Sequence, residues 1–534
     1  MTKFRIYFTV CFIICCATLT NCAKRGFISG GPLDTLPPVV LKSNPKNYST
    51  HFDKQEILID FDEFIKLKNV NQNLIISPPM ENTPDISPMG NAKKTMAVKI
   101  KDTLKENTTY SFNFGDAIID NNEGNPLKQF KYVFSTGSYI DSLTLSGTIK
   151  SAHQLKTDNF VNVMLYDAKT FQDSTVYRDK PLYITNTLDS LTTFTLENLK
   201  EGTYYLIAMK DKNNDYKFSP QQDKIAFIKD SITIPTEQQF ELVLFKSDEK
   251  FEANRPSQIS ENKWYVPYIG NPEGAEITVR KNDSLIRNTY SYLQQKDSLQ
   301  LWFPRITADS LLIDIKKDDF EKTFSVRPRA KMKLVDTLSV SGKGSSLDFI
   351  SDFSISTTTP ISKIQSEFIR ILNKDSVEIS FETENIVLEQ KINFKFKKEE
   401  EESYQIQMLP GALIDFFDKQ NDTLQYNLKT GNYTDYGNLT LNLSGIKRFP
   451  IIVELLDEQE KVISTRYSEN QTKLEFTLLP PRKYLIRIIY DDNENGKWDT
   501  GYYWEKRQPE ETFYFPEAID VRANWDLTQE VQLE

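Results

Sequence analysis

Cysteine stops at position 22. The 534-residue chain has Cys11, Cys15, Cys16 and Cys22 and no other. A body without thiols has no disulfide framework and no thiolate metal site. Histidine is almost as scarce, with only His51 and His153, so activation of a hydroxyl by a histidine and a carboxylate has few players. G-x-S-x-G, H-E-x-x-H and a phosphate-cradling glycine loop are all missing. Beyond the leader no run approaches the length of a spanning helix. Positive charge is in deficit: the formal net charge is −10, which disfavours nucleic-acid binding because phosphate contact needs a basic surface. No catalytic residues are expected. The neighbouring carboxylates Asp62 and Glu63, or Asp116 and Asp120, leave a carboxylate-based glycoside hydrolase as a distant alternative.

The leader accounts for the cysteines. Lys3 and Arg5 precede IYFTVCFIICCA (6–17), an apolar run of signal-peptide length, too short to span comfortably. Leu19-Thr-Asn-Cys22 resembles the lipobox of bacterial lipoproteins, which implies cleavage after residue 21 and acylation of Cys22. An ordinary secretory leader is the alternative. Residues 22–37, rich in glycine and proline, read as a lipidated flexible tether that reaches roughly 50 Å when extended. Lys24 and Arg25 sit beside the anchor, where they can meet anionic headgroups.

Beyond position 38 the chain alternates with period two. EILIDF (56–61) sets Ile57, Ile59 and Phe61 on one face; Tyr110–Phe114, Ile392–Phe396 and Tyr484–Ile488 do likewise. Such runs, rich in aromatic and β-branched residues, predict half-buried strands, hence an all-β chain of tandem β-sandwich domains. IKLKNVNQNLI (65–75) allows a turn or two of helix. KFKKEEEES (395–403) reads as a solvated hairpin tip.

The chain also echoes itself. YSFNFGDAIIDNNEGNPLKQFKYVFSTG (110–137) is repeated by YQIQMLPGALIDFFDKQNDTLQYNLKTG (404–431). TFTLENLKEGTYYLIAMKDKNNDYKF (193–218) is repeated by LEFTLLPPRKYLIRIIYDDNENGKW (474–498). Duplication of a two-domain unit follows, with domains at 38–138, 139–248, 249–330, 331–433 and 434–534. The segments PPVVLKSNP, ILIDFDEFIKL, LIISPP, NTTYSFNFGDAIIDNNEGNPL and FSTG resemble the SbsA-type bacterial Ig-like domain, in the form found at the start of Bacteroidota outer-membrane lipoproteins. The second and last domains are similar to prealbumin-like or carboxypeptidase-regulatory-like modules. These resemblances imply binding, spacing or architecture.

Asp491-x-Asn493-x-Asn495-Gly496, with Asp499 further on, and Asp211-x-Asn213-x-Asp215 place oxygens at alternate positions of a tight turn. This spacing opens a calcium loop, but Gln222 and Tyr502 stand where a bidentate carboxylate is needed. Calcium would be structural, and turn capping by Asp and Asn is the alternative. Trp264 and Trp302 read as core. Trp498, Tyr502, Tyr503 and Trp504 beside the last acidic loop are candidates for a ligand or partner platform. Asp followed by Ser or Thr and an apolar residue or Thr recurs from Asp34 to Asp422, and is similar to the O-glycosylation acceptor of Bacteroidota; strand-opening turns explain it equally. The expected function is a scaffold or accessory subunit that docks onto an integral outer-membrane protein or envelope complex. A glycan-binding surface lipoprotein of a nutrient-uptake system is the alternative.

Overall fold

The computed structural model describes residues 34–534 except 188–191, 283, 294–295, 330–331, 333, 343 and 534. Cys22 and the leader lie outside the described residues. The chain divides into two compact units, which part company at Ile140, with Ser77–Pro79 counted in the second. Strands dominate both, as expected of tandem β-sandwiches.

In the first unit the strands Val40–Asn44, Glu56–Leu67, Lys93–Lys99 and Asp85–Ser87 pair in that order, and Ile118–Asp120 pairs with the far half of Glu56–Leu67. The second layer is Ile75–Ser77, Thr109–Asn113 and Lys131–Ser135. Alternation decides which side chains face inward: Ile57, Ile59 and Phe61 are buried. They meet Phe112 and Phe134 in one core, and Phe52 stacks on Phe134 at 3.8 Å. The stretch 65–75 is strand to Leu67 and then a single helical turn, Val70–Asn73. Extended pairing with Ile118–Asp120 takes the residues that a longer helix would have used.

The second unit holds four core clusters, centred on Leu206, Ile313, Phe394 and Ile486. Around Phe394, strands Val340–Gly342, Phe353–Thr357, Lys391–Phe396 and Phe381–Ile386 repeat the order seen in the first unit. Ile361–Ile364 with Leu413–Asp415 and the sheet Ile369–Leu372, Ser403–Met408, Leu424–Lys429 complete the match. The echo in the sequence also carries a hydrogen-bonding device. The Lys105 amide donates to the Tyr110 hydroxyl and Thr136 Oγ1 donates to the Lys105 carbonyl. In the repeat, the Glu399 amide donates to the Tyr404 hydroxyl and Thr430 Oγ1 to the Glu399 carbonyl. The Thr-Gly at each strand end therefore clamps the loop between two sheets. That corrects the reading of 395–403: Lys391–Phe396 and Ser403–Met408 belong to different sheets. The segment is a crossover, and its Glu402 is buried, accepting the amides of Lys374 and Ser403.

The sandwiches around Leu206 and Ile486 match strand for strand. Tyr183–Asn186, Asn162–Asp167, Gly202–Lys210 and Lys224–Phe227 stand in the order of Val462–Ser468, Ile451–Leu456, Arg482–Tyr490 and Thr512–Tyr514. The facing sheets are Thr193–Leu199, Leu143–Ser151, Phe240–Leu244 and Lys473–Leu479, Gly437–Ser444, Asp526–Gln532. Each closes with a parallel pair. Tyr204 donates its hydroxyl to the Lys200 carbonyl at 3.0 Å, and Tyr484 donates to the Pro480 carbonyl at 2.8 Å. Arg482 stands in the last domain where the earlier copy has Gly202, and Pro480-Pro481 where it has Lys200-Glu201, and the corner is intact. In the middle domain Trp264 and Trp302 are core, with Trp302 Nε1 donating to Ser291 Oγ.

Candidate functional site

The residues singled out at the end of the chain meet in one loop and its surroundings. Strand Arg482–Tyr490 ends at Asp491, which is buried. Its carboxylate accepts the amides of Asn495 at 3.1 Å and Gly496 at 2.8 Å. Gly496 has φ +73, a conformation that favours glycine. Glu510, buried on the next segment, accepts the amides of Asp492 and Asp499 at 2.9 Å each, so one side chain holds both limbs of the loop. Burial raises its pKa and the neighbouring Asp499 and Asp491 charges add to that, against the lowering by the two amides.

The first loop is built the same way. Asp211 accepts the amides of Asn213, Asn214 and Tyr216, and Asp223, fully buried, accepts those of Lys212 and Ser219. Asp215 accepts the Lys217 amide. Asp223 and Glu510 went unnoticed in the sequence. Their signal was an acid just ahead of the strand that follows each loop, too common to single out.

As cation ligands these groups are poorly disposed. The carboxylates accept from backbone amides, and Asp499 takes the side-chain amides of Asn493 and Asn495 at 2.6 Å each. No group of three or more His, Cys, Asp or Glu able to hold a metal ion gathers among the described residues. What the geometry displays is turn capping. In the first unit Asp120 is likewise filled, by the amides of Asn122, Glu123, Gly124 and Asn125. Burial pushes its pKa up, but these four donors outweigh it and hold the carboxyl below its ordinary range. Asp62 accepts the Val39 amide.

The aromatic cluster is largely committed inside the chain, which corrects the platform reading for Tyr502 and Tyr503. Both are buried, because the segment after Trp498 crosses to the sandwich at 139–248. Thr500 Oγ1 donates to the Lys246 carbonyl at 2.6 Å, the Asp248 amide to the Gly501 carbonyl at 2.7 Å, and the Tyr503 amide to Ser247 Oγ at 3.1 Å. The Tyr503 ring meets Phe227 edge-on at 5.4 Å, and Lys506 lies 3.8 Å above it while pairing with Asp173 at 2.8 Å. Gly501 is required: a Cβ there would stand 2.6 Å from the Phe245 ring and 2.8 Å from the Arg507 carbonyl. Trp504 keeps an exposed face, 50% accessible, and packs edge-to-face with Tyr177.

Trp498 stacks on His153 at 4.1 Å and its Nε1 donates to the Glu510 carbonyl. The His153 carbonyl accepts from Arg487 Nη1 at 2.9 Å, and that guanidinium pairs with Glu454. Burial and the Arg487 charge lower the His153 pKa to about 4. The duplicated sandwiches thus share a joint.

Residues 34–136 match the family of bacterial Ig-like domains. Solved structures similar to the chain include the S-layer protein rSbsC(31-844), at 10% identity and TM-score 0.16, over 91% of this chain and 67% of that one. Sidekick-1 immunoglobulin domains 1–4 match at 9% identity and TM-score 0.17, over 71% and 94%. Salmonella alpha-2-macroglobulin matches at 9% and 0.15, over 90% and 42%. No curated protein matches the chain.

Proposed function

We propose that the protein is a non-enzymatic outer-membrane lipoprotein, anchored by acyl chains on Cys22. Its sandwiches dock onto an integral outer-membrane protein or envelope complex, such as one that assembles or exports outer-membrane proteins. One observation supports this most: the buried acids of the two loops, and Asp120 in the first unit, are engaged in holding backbone. Asp120, Asp211, Asp223, Asp491 and Glu510 each accept main-chain amides. Carboxylates so filled brace loops and are not placed to exchange protons with a substrate. No cofactor enters this reading.

Mild-detergent extraction from native membranes tests it. A stoichiometric integral partner is expected; recovery as a lone chain would contradict it. Protease shaving of intact cells assigns the periplasmic or outer face. A glycan-binding surface lipoprotein is the second reading, favoured by a cleft beside Trp498.

A further inference from the structure

A cleft of about 560 Å³ opens beside the joint, between the sandwich at 139–248, the middle domain and the loop that carries Trp498. Trp498 and Tyr268 give it aromatic walls, and Gln222, Asn254 and Asn271 give it carboxamides. His153 covers one face of Trp498, so the cleft meets the remainder of the indole. Two of the acids at its rim already have cations: Asp248 pairs with Arg507 at 2.8 Å and Asp297 with Lys246 at 3.6 Å. Glu249 differs. Its Oε1 is buried with no hydrogen-bond partner.

We propose that this cleft binds a short neutral oligosaccharide. Its volume lies within the range of small-molecule sites, and its mixture of aromatic surface and a few polar groups is what such sites present. Carboxamides donate and accept at once, as sugar hydroxyls do. Aromatic rings offer an apolar face with polar groups at its edge, which suits the C–H face of a pyranose. The Glu249 carboxyl, half-buried in the lining, has the Ser247 hydroxyl as one donor and an oxygen without a partner, which takes a sugar hydroxyl once the side chain turns outward. Lys246, the cation in the lining, is paired with Asp297, so it offers an anionic glycan little. With Asp248 and Asp297 paired, Glu249 is the lining acid that a basic peptide would address, and the arginine-rich control tests that occupant. This deepens the second reading above and is independent of partner docking.

The test titrates the full mature chain with neutral gluco-, manno-, xylo- and chito-oligosaccharides by calorimetry and tryptophan fluorescence, with oligogalacturonate and an arginine-rich peptide as controls. Saturable binding to at least one neutral series is expected. It should weaken about tenfold or more in Glu249→Ala and in the double variant Gln222→Ala/Asn254→Ala, whose exchanges lie outside the joint and leave Tm unchanged. If Glu249→Ala fails to fold, the double variant decides. Sugar binding that survives the double variant overturns the cleft assignment while leaving the glycan reading in place. Absence of neutral-sugar binding at millimolar concentration, or binding of only the acidic or peptide control, overturns both.

Discussion

The indole of Trp498 lies on the imidazole of His153 at 4.1 Å, joining the last sandwich to the one that follows the Ig-like domain. The imidazole is neutral in this setting, since burial and Arg487 lower its pKa to about 4, against about 6.5 unfolded. A pKa depressed on folding means that protonation favours the unfolded state. The stabilisation is therefore full above about pH 6.5 and lost as pH falls toward about 4. Thermal unfolding should show that loss across the window, and His153→Phe, which keeps a ring but cannot titrate, should flatten it. With only two histidines in the chain, proton NMR can follow His153 directly.

Gly501→Val should loosen the joint. The added side chain meets the Phe245 ring and the Arg507 carbonyl well inside contact distance, and overpacking of this kind costs about 1–3 kcal/mol. Hydrogen exchange should rise at 245–248 and 500–507 while the strands around Ile486 stay protected. Unchanged exchange would contradict the contact.

Tyr484→Phe removes the hydrogen bond to the Pro480 carbonyl and little else, because the ring is fully buried. A loss of about 1 kcal/mol is expected. Tyr204→Phe, at the matching corner, should cost a similar amount.

Asp491→Ala should destabilise the last sandwich by about 1.5–3 kcal/mol, as charged hydrogen bonds to the Asn495 and Gly496 amides disappear. Calcium should leave the Tm of the unaltered chain where it is. A calcium-dependent rise that Asp491→Ala abolishes would favour the cation reading over turn capping.

These corners and caps mark how far the sequence could be read. Period-two runs such as Glu56–Phe61 showed the strands. The paired echoes around Tyr110 and Tyr404, and Tyr204 and Tyr484, showed which sheets would be alike, because strand order follows the same spacing of turns and apolar faces. The Thr-Gly endings stood out as letters, but their role as clamps needed Lys105 and Glu399 in place. The joint was not legible. Tyr503 is buried by Phe227 and Phe218 of another domain, and periodicity reports only the face a strand turns to its own core. For the same reason an aromatic run beside an acidic loop suggested exposure, when a second sandwich covers most of it.

The return of the last sandwich onto its earlier copy is tested most directly by zero-length carbodiimide cross-linking of the full chain. Lys506 Nζ and Asp173 stand 2.8 Å apart across the joint, and Lys224 and Asp158 stand 2.7 Å apart within one sandwich. Mass spectrometry should recover an amide between Lys506 and Asp173 alongside the internal one. Recovery of the Lys224–Asp158 product with no Lys506–Asp173 product would contradict the joint.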